Sequence, residues 1–297
     1  MNQPAGRLAP SPTGGLHPGH ARTFLLAWVS ARQRGANLWL RIEDIDTTRC
    51  RPDFIPGIME DLAWLGLDHD GDPLIQTSRF EAHLAALELL QSKGMAYPCT
   101  CSRADIARSA SAPHALDSLV SYPGTCSGRT HTDAKRLDKP FCWRFRMPNV
   151  IPEHQELVRQ PTSAISHPGD PIIWRADRPG QPGGPAYHLA VVVDDAFQRV
   201  GEVVRGADLL AATPIHRALQ DALRLPSPRY AHVPLMTDHL GRRLAKRDGA
   251  VRLSTLRASG MRPEILIGQL AASAGLVAQQ EPIRPADLVG KLDWSML

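Results

Sequence analysis

The chain has 297 residues, 43% apolar and 22% charged, the balance of an ordinary globular fold with room for more than one domain. Its net charge of +4 is uneven: Val200–Arg262 carries 11 Lys/Arg against 5 Asp/Glu, which suits phosphate or nucleic-acid partners, although a solvated basic face has the same composition. No apolar run approaches the roughly 18 residues a membrane span needs, and MNQPAGRLAP lacks a secretory core, so a cytoplasmic protein without membrane association is expected.

Arg7–Pro10 forms a short apolar start, followed by the turn-rich Ser-Pro-Thr-Gly-Gly. From Pro18 to Arg34 the residues Phe24, Leu25, Trp28 and Val29 recur at helical spacing, with Pro18 suited to the first turn. Leu38–Ile42 is a compact apolar run, predicted as a buried strand ending in Glu43-Asp44. Helical patterns follow around Asp53–Leu65 and Arg79–Lys93. Strand, loop, helix, strand predicts an α/β fold with a Rossmann-like, doubly wound parallel sheet. Between 96 and 185 Pro, Gly, Ser and Cys rise and helical periodicity fades, marking an insertion in which Phe141–Met147 alternates like a strand. The unbroken apolar YHLAVVV (Tyr187–Val193) predicts a strand buried on both faces. A helix at Pro214–Leu223, a strand at Ala231–Met236, a basic loop at His239–Gly249 and a helix at Pro263–Leu276 complete the chain. The expected organisation is a catalytic unit from 1–95 and 186–250, an insertion at 96–185, and a short helical segment at 251–297.

Two segments carry phosphate chemistry. His17 and His20, spaced i, i+3 with Gly19 between them, stand where a loop enters a helix. Backbone N–H groups there favour an anion, and two imidazoles can donate to a transferring phosphate. Arg242-Arg243-Leu244-Ala245-Lys246-Arg247 supplies four cations between Gly241 and Gly249, a loop able to cover a triphosphate. Singly, each has a plainer explanation: a helix cap, a solvated turn. Cys99, Cys101 and Cys126 crowd into 28 residues while Cys50 and Cys142 stand apart. In a reducing compartment such a cluster suggests a structural metal before a disulfide. Three thiolates leave one tetrahedral position, for which His114 and His131 are the ordinary candidates.

Taken together, RLAPSPTGGLHPGHART resembles the HIGH region of glutamyl-type class I aminoacyl-tRNA synthetases, and RLAKR stands where that family has KMSKS. RIEDID (Arg41–Asp46) and AVVVDD…EVVRGADLL (Ala190–Asp195, Glu202–Leu210) are similar to the same family, in the same order. The resemblance implies ATP bound between the two signature motifs by His17, Gly19, His20 and Lys246, with His17, His20 and Lys246 catalytic and Mg²⁺ accompanying the nucleotide. It places an L-glutamate pocket at Arg7, Leu8, Ala9, Pro10 and Ser11 on the first strand and loop, Glu43 at the second strand's end, Tyr187 on the central strand, and Arg205 in the RGAD turn. Two guanidiniums suit carboxylates, Glu43 suits the ammonium, and Tyr187 supplies a hydroxyl and a wall. A C-x-C…Y-x3-C pattern in part of the family adds Tyr122 to Cys99, Cys101 and Cys126 as ligands of one structural Zn²⁺.

After Arg247 only 50 residues follow, too few for the helical anticodon-binding portion of a standard glutamyl-tRNA synthetase. The resemblance therefore narrows to the short paralogue family, the glutamyl-Q tRNA(Asp) synthetases. Its members activate glutamate without tRNA and esterify it to the cyclopentenediol of queuosine in tRNA(Asp). A monomeric enzyme of that kind is expected. Arg243 and Ala245 depart from the usual KLSK pattern, which bears on rate more than on reaction type. The alternatives are a truncated synthetase charging the 3′ end of tRNA(Glu) and a non-catalytic RNA-binding paralogue. Against the latter, binding alone would not require His17, His20, Lys246, Glu43 and Arg205 together.

Overall fold

The computed structural model describes residues 4–102, 104–106, 122–158, 169–176, 183–236 and 251–297. Strand β1 (Gly6–Leu8) leads through the Ser11–Gly15 loop to helix α1 (Pro18–Gln33) and returns as β2 (Leu38–Ile42), which pairs parallel to β1 in the register Arg7–Trp39. Helix α2 (Phe54–Leu65) then crosses to β3 (Leu74–Ile75), parallel to β2. Two later strands, β8 (Glu202–Gly206) and β9 (Arg229–Val233), are again parallel to each other. A parallel bridge between Ala5 and Val200, with Ala5 N–H donating to Arg199 O (3.2 Å) and Gly201 N–H to Ala5 O (2.9 Å), joins the two sets. The spatial order is therefore β3-β2-β1-β8-β9, a parallel α/β sheet whose chain reverses direction of travel between β1 and β8. Ligands of such sheets bind beyond the carboxyl ends of the strands at that switch point.

Helix α1 fixes the sheet by burying Leu25, Leu26, Val29 and Ala31 against Leu8, Leu38 and Leu40. Its buried Arg22 donates to Pro234 O (2.6 Å) after β9 and to Ser273 O (3.0 Å) at the end of the late helix Pro263–Ser273. One guanidinium thus ties helix, sheet and C-terminal segment together.

A second, antiparallel sheet is formed by β4 (Ala96–Cys99), β5 (Cys142–Phe145), β6 (Ile172–Arg175) and β7 (Gly184–Pro185) in that order. It shares a separate core with helix α3 (Phe80–Ser92), helix α4 (Tyr187–Phe197) and helix α5 (Thr213–Leu223). Two short helices, α6 (Leu253–Ala258) and α7 (Pro263–Ser273), pack back on the first core.

The expected strand at Tyr187–Val193 is helix α4 instead. Leu189, Ala190, Val191 and Val192 are each no more than 2% exposed, so this turn of the helix is enclosed on all sides and its apolar run carries no periodicity. Tertiary packing overrides the β preference of the three valines. The acidic pair closing the run decides the matter locally. As a helix, Asp194 takes the Nε2 of His83 (3.0 Å) and the Gln76 amide (2.9 Å), while Asp195 accepts from Arg41 Nη1 (2.7 Å). Tyr187 accordingly opens a helix and is not on a strand, and Arg205 lies within β8, one residue before its end, not in the turn that follows.

Candidate active site

The carboxyl ends of β1, β2, β8 and β9 surround a cleft of about 330 Å³. The HxGH segment forms one wall. His17 is the N-cap of α1, its Nδ1 accepting the Gly19 N–H at 3.1 Å, which satisfies one of the helix's unpaired donors. His17 and His20 then stack with ring centroids 3.7 Å apart. Glycine suits the position between them, because a Cβ on Gly19 would press on the His17 ring at 3.0 Å. Both imidazoles and Gly19 line the cleft at the start of a helix, where anions are favoured.

The opposite side is built from charge. Arg7 lies on β1 at 6% exposure, donates from Nη1 to Val204 O (2.8 Å), and faces Asp195 at 3.7 Å. Arg41, fully buried, spans Asp195 (2.7 Å) and Glu43 Oε1 (3.0 Å). Burial pushes the Glu43 carboxyl above its ordinary range despite the opposing pull of Arg41 and Arg7. A cation arriving in the cleft would relieve that desolvation. Burial likewise raises the Tyr187 phenol, keeping it a neutral donor.

Arg205 differs from the other two. Only 4% exposed, it donates to His232 Nε2 (3.0 Å), His216 Nδ1 (3.0 Å) and Thr213 Oγ1 (2.8 Å), all neutral acceptors. Among the described residues no carboxylate lies within ion-pair distance of it. A buried guanidinium without an anion is costly unless a ligand supplies one. Of the expected glutamate residues, the cleft lining contains Arg7, Ala9, Pro10, Ser11, Glu43, Tyr187 and Arg205. Leu8 is not in it; its side chain is fully buried in the core.

Lys246, Arg243, Ala245 and the rest of the basic loop lie outside the described residues. The two flanks of 237–250 are nevertheless both at the cleft. Met236 lines it, and on return the Leu253 N–H donates to Leu16 O (2.9 Å) beside His17, with the Arg252 side chain 3.5 Å from where a Gly15 Cβ would be.

The sulfur atoms of Cys99, Cys101 and Cys126 lie within 4.8 Å of one another. His131 is not part of the group, and His114 lies outside the described residues. The Tyr122 hydroxyl sits at 3.4 Å from Cys99 Sγ and 3.9 Å from Cys101 Sγ, fixed by the Cys126 N–H at 2.8 Å. Three sulfurs and one oxygen converging this closely fit a four-coordinate divalent metal in donor number and type. The Arg144 guanidinium, 3.7 Å over the Tyr122 ring, offsets an anionic donor set. Cys142, remote in sequence, is the cross-strand partner of Cys99 and donates to its carbonyl at 3.4 Å.

Asp195, Glu156, His188, His216 and His232 escape sequence reasoning. Asp195 belongs to a motif that only the family resemblance marks, and the histidines stand singly among unrelated residues. No local spacing marks them, since each meets Arg205, Arg41 or a histidine on a different element.

A parallel α/β sheet with an HxGH loop at its switch point and a charged cleft beyond its strands is an arrangement that the class I aminoacyl-tRNA synthetases share with other nucleotidyl-transferring enzymes. Residues 5–288 match the sequence model of the class I tRNA synthetases (E and Q), catalytic domain, and the chain belongs to that family of ligases. Curated relatives include the glutamyl-Q tRNA(Asp) synthetase of Symbiobacterium thermophilum, 44% identical over 97% of this chain and 92% of the relative. That of Rhodopirellula baltica is 45% identical over 93% and 86%. Among solved structures, the glutamate-tRNA synthetase of Elizabethkingia anophelis superposes with a TM-score of 0.81 at 25% identity, covering 99% of this chain and 66% of the other. The chain thus spans about two thirds of that synthetase's length. Among the described residues no helix is long and apolar enough to cross a membrane.

Proposed function

We propose that this chain activates L-glutamate with ATP in the absence of RNA, and then transfers it to the cyclopentenediol of queuosine in tRNA(Asp). In the first step a glutamate α-carboxylate oxygen attacks the α-phosphorus of ATP, and pyrophosphate departs to leave glutamyl-adenylate. In the second, a hydroxyl of the cyclopentenediol attacks the acyl carbon and loses its proton as AMP leaves. The buried Arg205, held by neutral acceptors and with no carboxylate partner among the described residues, is the observation that carries the substrate assignment. Arg7 shares the work of binding carboxylate, Glu43 takes the ammonium, and Tyr187 supplies a hydroxyl at the wall. His17 and His20 donate to the phosphates at the helix N-terminus, and Lys246 offsets the charge of the departing pyrophosphate. Mg²⁺ accompanies ATP. The relatives named glutamyl-Q tRNA(Asp) synthetase support queuosine as the acceptor.

Cys99, Cys101, Cys126 and Tyr122 would hold one Zn²⁺, which when bound cross-links β4 to the segment after 122 and takes no part in the chemistry. The test is ATP–pyrophosphate exchange with tRNA rigorously removed. Glutamate should drive it and glutamine should not, because a neutral amide leaves a guanidinium unmatched at roughly 1–3 kcal/mol or more. Equal exchange with both amino acids would overturn the pocket assignment.

A further inference from the structure

The segment 151–158 lies beside β9, where Glu156 bridges to Tyr230. Its carboxylate grips His232 twice: Oε1 accepts the backbone N–H at 2.9 Å, and Oε2 meets Nδ1 at 2.6 Å. An ionised carboxylate only accepts, so the proton between them is on Nδ1. On the other edge of the same ring, Nε2 faces the Nε–H of Arg205 at 3.0 Å and the Thr213 hydroxyl at 3.0 Å. Arginine only donates, so Nε2 must present its lone pair. The two demands agree on one tautomer, and the fully buried ring, stacked on Tyr230 at 5.8 Å and 8°, cannot swing away to adopt another. His216 repeats the arrangement, its Nδ1 accepting from Arg205 and its Nε2 lying 3.1 Å from His188 Nδ1. Burial holds all three histidines below their ordinary range, hence neutral, so none competes with Arg205 as a cation.

We propose that Glu156 and His232 are positioning residues for the amino-acid pocket: Glu156 fixes the Nδ1–H tautomer of His232, whose Nε2 lone pair then orients Arg205, unpaired by any carboxylate among the described residues, as a cation facing the cleft. The role rests on the reading of that cleft as the glutamate site. Glu156 touches neither substrate nor phosphate. Its effect passes through one imidazole, as a carboxylate orients a histidine in hydrolytic triads. An acidic residue placed directly against Arg205 would neutralise the charge the substrate needs, whereas one placed beyond a neutral ring orients it without doing so.

The test is Glu156→Gln, nearly identical in shape. An amide Nε2–H₂ facing His232 moves the ring proton to Nε2 and sets two donors against each other at Arg205. Glutamate KM in tRNA-free exchange should rise roughly tenfold or more, as when a buried donor loses its acceptor, with the KM for ATP nearly unchanged. Nitrogen-15 shifts of the His232 ring should report Nδ1–H in the parent protein and Nε2–H in the variant. Should the variant not fold, the parent spectrum decides alone: a proton on Nε2 there overturns the proposal. So does a folded Glu156→Gln variant whose glutamate KM equals the parent's. Absence of any glutamate-dependent exchange in the parent would remove the proposed function, and this role with it.

Discussion

Arg205→Lys isolates geometry from charge at the centre of the pocket. The lysine ammonium keeps the cation but replaces a planar fork with a point donor on a flexible stem. In the parent, the guanidinium reaches His232, His216 and Thr213 from three different nitrogens at 2.8–3.0 Å. A single nitrogen cannot span all three, so at least one buried imidazole acceptor goes unmatched and the two-pronged approach to a carboxylate is lost. Each effect is worth about 1–3 kcal/mol, and part is recovered because the charge remains. A net loss of about 1.5–3 kcal/mol corresponds to a 10- to 100-fold rise in glutamate KM. Tyr187 and Arg7 stay in place, so turnover at saturating glutamate should fall less. The assay is glutamate-dependent pyrophosphate exchange over a wide glutamate range. A variant with parental KM would mean that Arg205 is a structural strut and that the carboxylate is held elsewhere.

Four further outcomes are expected. Lys246→Ala should slow adenylation by roughly 10²-fold or more with little change in glutamate KM, measured by single-turnover adenylate formation. Purified, unchelated protein should carry about one zinc, Cys101→Ser should lose it, and Tyr122→Phe should weaken binding less, all read by metal analysis. Asp195→Asn removes an anion that Arg41 meets at 2.7 Å in the core, leaving Glu43 at 3.0 Å as its other partner, and should destabilise the fold by about 1–3 kcal/mol in denaturant titrations. The Asp194 carboxyl is held below its ordinary range: burial raises it, but hydrogen bonds from His83 and Gln76 prevail. Because its folded value lies below the unfolded one, its stabilisation is full above pH about 4 and is lost as pH falls through the folded value. An Asp194→Asn variant should show a shallower acid limb in its unfolding profile.

Much of the molecule was legible because its signals are local. Pro18 with the i, i+3/i+4 apolar spacing, and the compact apolar run Leu38–Ile42, marked α1 and β2 nearly to the residue. The HxGH loop was readable as a helix entrance with small residues, and the three clustered cysteines as a metal set; their sulfurs do converge. Tyr187–Val193 was not legible, because an enclosed helix and an enclosed strand have the same apolar run, and what separates them are Arg41 and His83, 154 and 111 positions from their acidic partners. The support of Arg205 was hidden for the same reason: His232 lies 27 residues away and Glu156 a further 76 from that histidine. Cys142 appeared isolated only because strand pairing, not spacing, sets it against Cys99. The basic loop, central to the expected ATP site, lies outside the described residues, and its flanks at Met236 and Leu253 are what connect it to the cleft.

The destination of labelled glutamate tests the central claim most directly. Incubated with ATP, glutamate and the purified chain, tRNA(Asp) that contains queuosine should become labelled, and the same tRNA lacking queuosine should not. Nuclease digestion should place the label on the modified anticodon nucleoside. Label on the terminal adenosine of tRNA(Glu), with none on queuosine, would contradict the account and make this chain a minimal glutamate-tRNA ligase.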